Sequence, residues 1–112
     1  MFDYKDTSFD GSVWKAVCSV SADLSYFKGH FPAKPILPAI AQLKMLEGFV
    51  SQIRNSPHCI ESAASIKFVQ PITPADMIMM ELKFISDFET TFRLFCSGVL
   101  VSRGQLTFRL PV

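Results

Sequence analysis

Apolar and polar positions alternate with period two over several stretches of this chain and shift to a helical period over one. Val13 to Val20 alternates, with Trp14, Ala16, Cys18 and Val20 on one face, and predicts a first strand. Residues 1–11 show no such pattern and read as a loose lead-in. From Pro38 to about Asn55, Leu43, Leu46, Phe49, Val50 and Ile53 gather on one helical face, while Lys44, Glu47, Ser51 and Arg54 share the opposite stripe. Pro38 suits the first turn of such a helix, and Asn55-Ser56-Pro57 ends it. Period two returns over Ile60 to Val69, Met77 to Ile85, Thr90 to Leu100 and Gln105 to Leu110. Turn residues separate these runs at Pro71 to Asp76, Ser86 to Glu89 and Ser102 to Gly104. A strand, a helix and four strands joined by short links predict an α+β fold, an antiparallel meander wrapped around one long helix.

Between the first strand and the helix lies Tyr26-Phe27-Lys28-Gly29-His30-Phe31-Pro32-Ala33-Lys34-Pro35-Ile36-Leu37-Pro38. Gly29 permits backbone angles that other residues avoid, and the three prolines at 32, 35 and 38 fix φ. A histidine braced in this way, just ahead of an apolar helix, is a candidate catalyst. The other histidine, His58, follows Pro57 at the helix exit and reads as a surface residue.

A chain of 112 residues makes a single domain, residues 1–112, able to bury roughly two thirds of its unfolded surface. Hydrophobic residues form 49% of it and charged residues 19%, more apolar than a small monomer needs. That surplus points to an oligomer or a lipid-sized tunnel. A net charge of +1 from scattered basic residues gives no polyanion signature, so nucleic acid is not an expected partner. Cys18, Cys59 and Cys96 are widely separated with no Cys-x-x-Cys pair, which argues for reduced thiols rather than disulfides or a metal site. The opening Met1-Phe2-Asp3-Tyr4-Lys5-Asp6 is unlike a secretory signal, and no apolar run reaches the length of a membrane span. The cytoplasm is the expected location.

Phe27 to Pro32, then Pro35-Ile36-Leu37-Pro38 and the helix, resemble the active-site signature of the hotdog-fold 3-hydroxyacyl-[acyl-carrier-protein] dehydratases of fatty acid synthesis. Downstream, Ile66 to Asp76 is similar to that family's next strand and its Pro-x-x-Pro-Gly-Asp turn. The opening of the helix, Pro38-Ala39-Ile40-Ala41-Gln42-Leu43, also resembles short stand-alone dehydratase-like proteins of specialised lipid and polyene pathways. The resemblance runs from about Ser12 to Leu110. It implies a hotdog domain, paired as a homodimer or higher even oligomer, with active sites at the subunit interface. It further implies an acyl chain carried on the phosphopantetheine of acyl carrier protein or of CoA, and no other cofactor. Gly29, Phe31, Leu37, Pro38, Ala39 and Phe68 fall at the substrate-binding positions.

Dehydrating a 3-hydroxyacyl thioester needs a base for the carbon 2 proton and an acid for the departing hydroxyl. The resemblance makes His30 the base, and a positioned group of this kind contributes roughly 10² to 10⁴ in rate. Helix N-terminal N–H groups can stabilise the charge that develops on the thioester oxygen. Ala39 stands where the family usually has glycine. The family's helix carboxylate falls on Lys44, a cation in place of an acid. An ammonium can donate a proton where burial eases its loss, and Glu47, one turn on and about 4.5 Å along the axis, is the nearby carboxylate. Lys44 and Glu47 are thus both candidates for the second catalytic role, with a simple solvated ion pair as the other reading. Two further functions stay open: a hotdog thioesterase, and a catalytically reduced protein that binds a carrier-borne thioester or joins an active paralogue. Lys28, Lys34 and Arg54 could attract an acidic carrier. Phe84, Phe92, Phe95 and Phe108 read as core, and Asp76 as the cap of its turn.

Overall fold

One face of each central strand is apolar, and that face meets the helix. The computed structural model describes residues 2–19, 37–73 and 77–112. Within them the order is β1 (Tyr4–Phe9), β2 (Trp14–Ser19), α1 (Ala39–Arg54), β3 (Cys59–Phe68), β4 (Met77–Phe84), β5 (Glu89–Cys96) and β6 (Val99–Arg109). The strands form one antiparallel sheet in the order β1-β2-β4-β5-β6-β3. Strands β4, β5 and β6 form the expected meander. Strand β3 does not join it in sequence, because the chain crosses over and pairs β3 with β6 at the far edge.

Alternation puts Ala16 and Cys18 of β2, Ile78, Met80 and Leu82 of β4, Phe92 and Leu94 of β5, and Leu106 and Phe108 of β6 into the core. The helix contributes Ala41, Met45, Leu46, Phe49 and Val50 to the same cluster, and each large side chain buried there stabilises the fold by about 1.5–3 kcal/mol. Leu43 and Ile53, expected on the apolar face, are half-buried at its margins. Phe92 and Phe108 are core as expected, whereas Phe84 and Phe95 are half-buried. Pro38 is the N-cap, with extended angles of φ −69° and ψ 161°, rather than a member of the first turn. Asn55 ends the helix in the left-handed region at φ 51°, a conformation asparagine tolerates, and its N–H returns to the Gln52 carbonyl.

Three local expectations are corrected. The lead-in is largely a strand: Tyr4–Phe9 pairs with β2 at the sheet edge. Its side chains are mostly exposed, so backbone pairing rather than an apolar face holds it, and no alternation marks it. The turn between the last two strands lies at Ser97-Gly98, both at positive φ (50° and 78°), a two-residue hairpin that brings Cys96 opposite Val99. Ser102-Arg103-Gly104 instead lies inside β6. There a Cβ on Gly104 would run into the Ile66 side chain and come within 3.0 Å of Phe92, so the glycine serves close packing rather than a turn. His58 is buried, at 8% exposure, not a surface residue. Val20 and Asp76 lie outside the described residues.

Candidate functional site

The polar stripe of α1 faces the start of β3, and the two candidate helix residues meet there. Lys44 Nζ lies 3.3 Å from Glu47 Oε1. The other carboxylate oxygen, Oε2, accepts the backbone N–H of Ile60 at 2.7 Å. This bond ties the middle of the helix to the start of the edge strand, so Glu47 lines the cleft and braces it as well. Ile40, Leu43 and Ile60 close around the pair to form a cleft of about 200 Å³. Lys44 keeps 55% of its side chain exposed, against 22% for Glu47. Ammonium and carboxylate therefore differ in freedom: Lys44 has three donors with one used here, while both oxygens of Glu47 are engaged as acceptors.

One turn further on, the Ser51 hydroxyl donates to the Glu47 carbonyl at 2.9 Å and accepts the His58 N–H at 2.9 Å. The His58 ring stacks on Phe88 with centroids 5.8 Å apart, and its Nδ1 lies 2.9 Å from the Ser56 carbonyl. This histidine secures the link between helix and β3. Arg54 lies with its guanidinium carbon 3.9 Å from the centre of the Phe84 ring and donates to the Asp87 carbonyl.

At the mouth of α1, Pro38 supplies no side-chain cap and the first turn holds no acidic residue, so among the described residues no side chain offsets the positive end of the helix. Ala39 opens the helix there and is exposed. Leu37 is anchored: its side chain is 2% exposed, its N–H donates to the Ile72 carbonyl at 2.7 Å, and its carbonyl accepts from Gln42 Nε2 at 3.4 Å. Gln42, which the sequence pattern did not single out, is buried with Oε1 unpartnered among the described residues. Phe68 lies at the end of β3, 47% exposed. His30, Gly29 and Phe31, together with Lys28 and Lys34, lie outside the described residues. Among the described residues, no group of three or more His, Cys, Asp or Glu is placed to hold a metal ion, and no helix is long and apolar enough to cross a membrane.

Tyr4 is the residue that sequence reasoning missed most clearly. Its hydroxyl reaches across to α1 and donates to the Met45 carbonyl at 2.6 Å, and burial raises its pKa. The ring stacks on Phe49 with centroids 5.5 Å apart. The lone tyrosine in a polar hexapeptide carried no periodic signal.

One long helix laid on a six-stranded antiparallel sheet, with a mainly apolar cleft around Lys44 and Glu47, is a hotdog fold. The chain belongs to the ApeI-like family, described as ApeI dehydratase, whose profile matches residues 6–105. It is similar to the 3-hydroxyacyl-[acyl-carrier-protein] dehydratase FabZ of Yersinia enterocolitica, at 33% identity over 87 residues. That match takes in 70% of this chain and 52% of the relative, so the chain spans about half the length of the curated relatives it matches. Among solved structures, the dehydratase heterocomplex ApeI:P from Xenorhabdus doucetiae superposes with a TM-score of 0.83 at 19% identity, covering 96% of this chain and 97% of that one. An uncharacterised protein from Erwinia carotovora subsp. atroseptica superposes with a TM-score of 0.78 at 23% identity, covering 96% and 93%.

Proposed function

We propose that this protein is a hydro-lyase that removes water from 3-hydroxyacyl thioesters carried on acyl carrier protein, working as a homodimer in the cytoplasm. The observation that carries this reading is the Lys44–Glu47 pair, held in one cleft of the helix in a member of the ApeI-like family. The imidazole of His30 takes the carbon 2 proton. The electron pair moves toward the thioester carbonyl, whose oxygen is stabilised by N–H groups at the mouth of α1. The carbon 3 hydroxyl leaves as water, taking its proton from the Lys44 ammonium, and the proton held by His30 returns to Lys44 through solvent. Glu47 is given the orienting role, because its two oxygens already hold the Lys44 ammonium and the Ile60 N–H.

One observation favours a second reading. Lys44, which the resemblance puts at the family's acid position, is exposed over about half its side chain. This suits a catalytically reduced subunit that holds a carrier-borne thioester beside an active paralogue, an arrangement consistent with the heterocomplex to which the fold is similar. Incubating the purified chain alone with 3-hydroxyacyl thioesters of carrier protein and of CoA, and reading the products by mass, separates the two. Loss of water supports the lyase, hydrolysis of the thioester supports a hotdog thioesterase, and no reaction until a paralogue is added supports the reduced subunit.

A further inference from the structure

Basic residues scattered along the sequence are gathered by strand register into a single row. On the solvent face of the sheet, Lys15 of β2 stands opposite Glu81 of β4, Glu81 opposite Arg93 of β5, Arg93 opposite Arg103 of β6, and Arg103 opposite Lys67 of β3. Glu81 is the one acid in this row. It pairs with Arg93 at 2.5 Å and with Lys15 at 4.0 Å. Arg103 and Lys67 are left adjacent and exposed, with no ion pair among the described residues. Like charges directly opposite each other weaken a sheet, so an anion seated between them would stabilise it.

A receptacle is present at that place. Thr91, Arg93, Arg103 and Gln105, on the outer face of β5 and β6, surround a concavity of about 300 Å³ with Ser65 at its rim. Phe92 and Gly104 lie beneath it, and because their side-chain positions point to the core they offer only backbone. The β3 ladder shifts between Ala64 and Lys67, with Ser65 at φ 53°, which turns that serine out of the regular register.

We propose that this concavity binds a phosphate group. A guanidinium fork makes two parallel hydrogen bonds to phosphate oxygens, so Arg103 is the main anchor. Arg93, already paired with Glu81, lines the same concavity, Lys67 stands beside it opposite Arg103 in the ladder, and Thr91 and Gln105 add neutral donors. A guanidinium in the concavity, unpaired among the described residues and with the uncompensated charge of Lys67 next to it, matches a dianionic phosphomonoester better than a carboxylate or a phosphodiester. The site stands on sheet register and on the concavity it frames, and does not depend on the chemistry assigned to the helix cleft. Two sources share this chemistry: free phosphate and the terminal 3′-phosphate of CoA.

Calorimetric titration of the full chain with sodium phosphate, at ionic strength matched by sodium chloride, tests the site. The expected result is saturable binding that weakens about tenfold or more in Arg103→Gln and less in Lys67→Gln, with the circular dichroism of both variants unchanged. Titration with CoA and with its 3′-dephospho form then identifies the source. Tighter binding of CoA that Arg103→Gln removes makes its terminal phosphate the ligand, whereas equal, Arg103-independent responses to both with phosphate binding intact make free phosphate the ligand. A phosphate response no greater than that of chloride, or one that Arg103→Gln leaves unchanged, would overturn the proposal.

Discussion

The phenol oxygen of Tyr4 occupies the space that a Cβ on Gly48 would need, while it donates to the Met45 carbonyl one turn earlier. The glycine in mid-helix is therefore the condition for docking the edge strand β1 on α1. Replacing it with alanine adds about 1 kcal/mol of helix propensity but forces the hydroxyl away, an overpacking cost of about 1–3 kcal/mol together with the lost hydrogen bond. Gly48→Ala should thus lower stability in urea denaturation. In a Tyr4→Phe background the oxygen is gone, and the same substitution should become neutral or stabilising. An equal cost in both backgrounds would show that the two residues are not coupled.

Burial pushes the Cys18 thiol from 9.0 up to about 11. A raised value means the folded state favours the protonated form. The stability this lends is complete below about 9 and disappears as pH rises through about 11. At pH 8 the half-buried Cys59 should react with a disulfide reagent well before Cys18, whose labelling should wait on opening of the fold. Equal labelling rates for these two thiols would contradict the packed position of β2.

Glu47 joins two roles that substitution can part. Glu47→Ala leaves the Ile60 N–H without its acceptor and should cost about 1–3 kcal/mol of stability. Glu47→Gln can keep that acceptor and should remain near wild type in stability, while losing the charge that holds Lys44, with kcat falling by up to about 10². Comparing unfolding curves with turnover checks the division. A fall in stability for Gln as large as that for Ala would argue that the charge, and not the hydrogen bond, braces β3.

Lys44 is exposed over much of its side chain and takes part in no core packing. Lys44→Met should leave stability within about 0.5 kcal/mol and lower kcat for dehydration by about 10² to 10⁴, with little change in KM. A large rise in KM at constant kcat would move Lys44 from proton transfer to carrier binding.

Much of the fold was legible because it rests on periodicity. The alternation of Ile78, Met80 and Leu82 and the helical spacing of Leu46, Phe49 and Val50 both reflect burial on one face, and both appear in the structure. Tyr4–Phe9 was hidden because an edge strand with exposed side chains needs no pattern. Arg103-Gly104 misled for the opposite reason: glycine signals a turn and a close approach equally, and only Ile66, from another strand, decides between them. In the site, Lys44 and Glu47 fell on one stripe from sequence alone. The Ile60 N–H that fixes Glu47 could not be read, because a backbone donor on a distant strand has no residue-type signature. The burial of His58 rests similarly on Ser51 and Phe88, which the sequence leaves apart.

On the proposed reading, this hotdog chain removes water from a 3-hydroxyacyl thioester with His30 as the base. Mass analysis of a 3-hydroxyacyl carrier-protein thioester, after incubation with the wild-type chain and with His30→Ala, tests it most directly. Conversion to the enoyl thioester is expected from the wild type and none from the variant. Undiminished elimination by His30→Ala, or release of the free acid in place of the enoyl product, would contradict it.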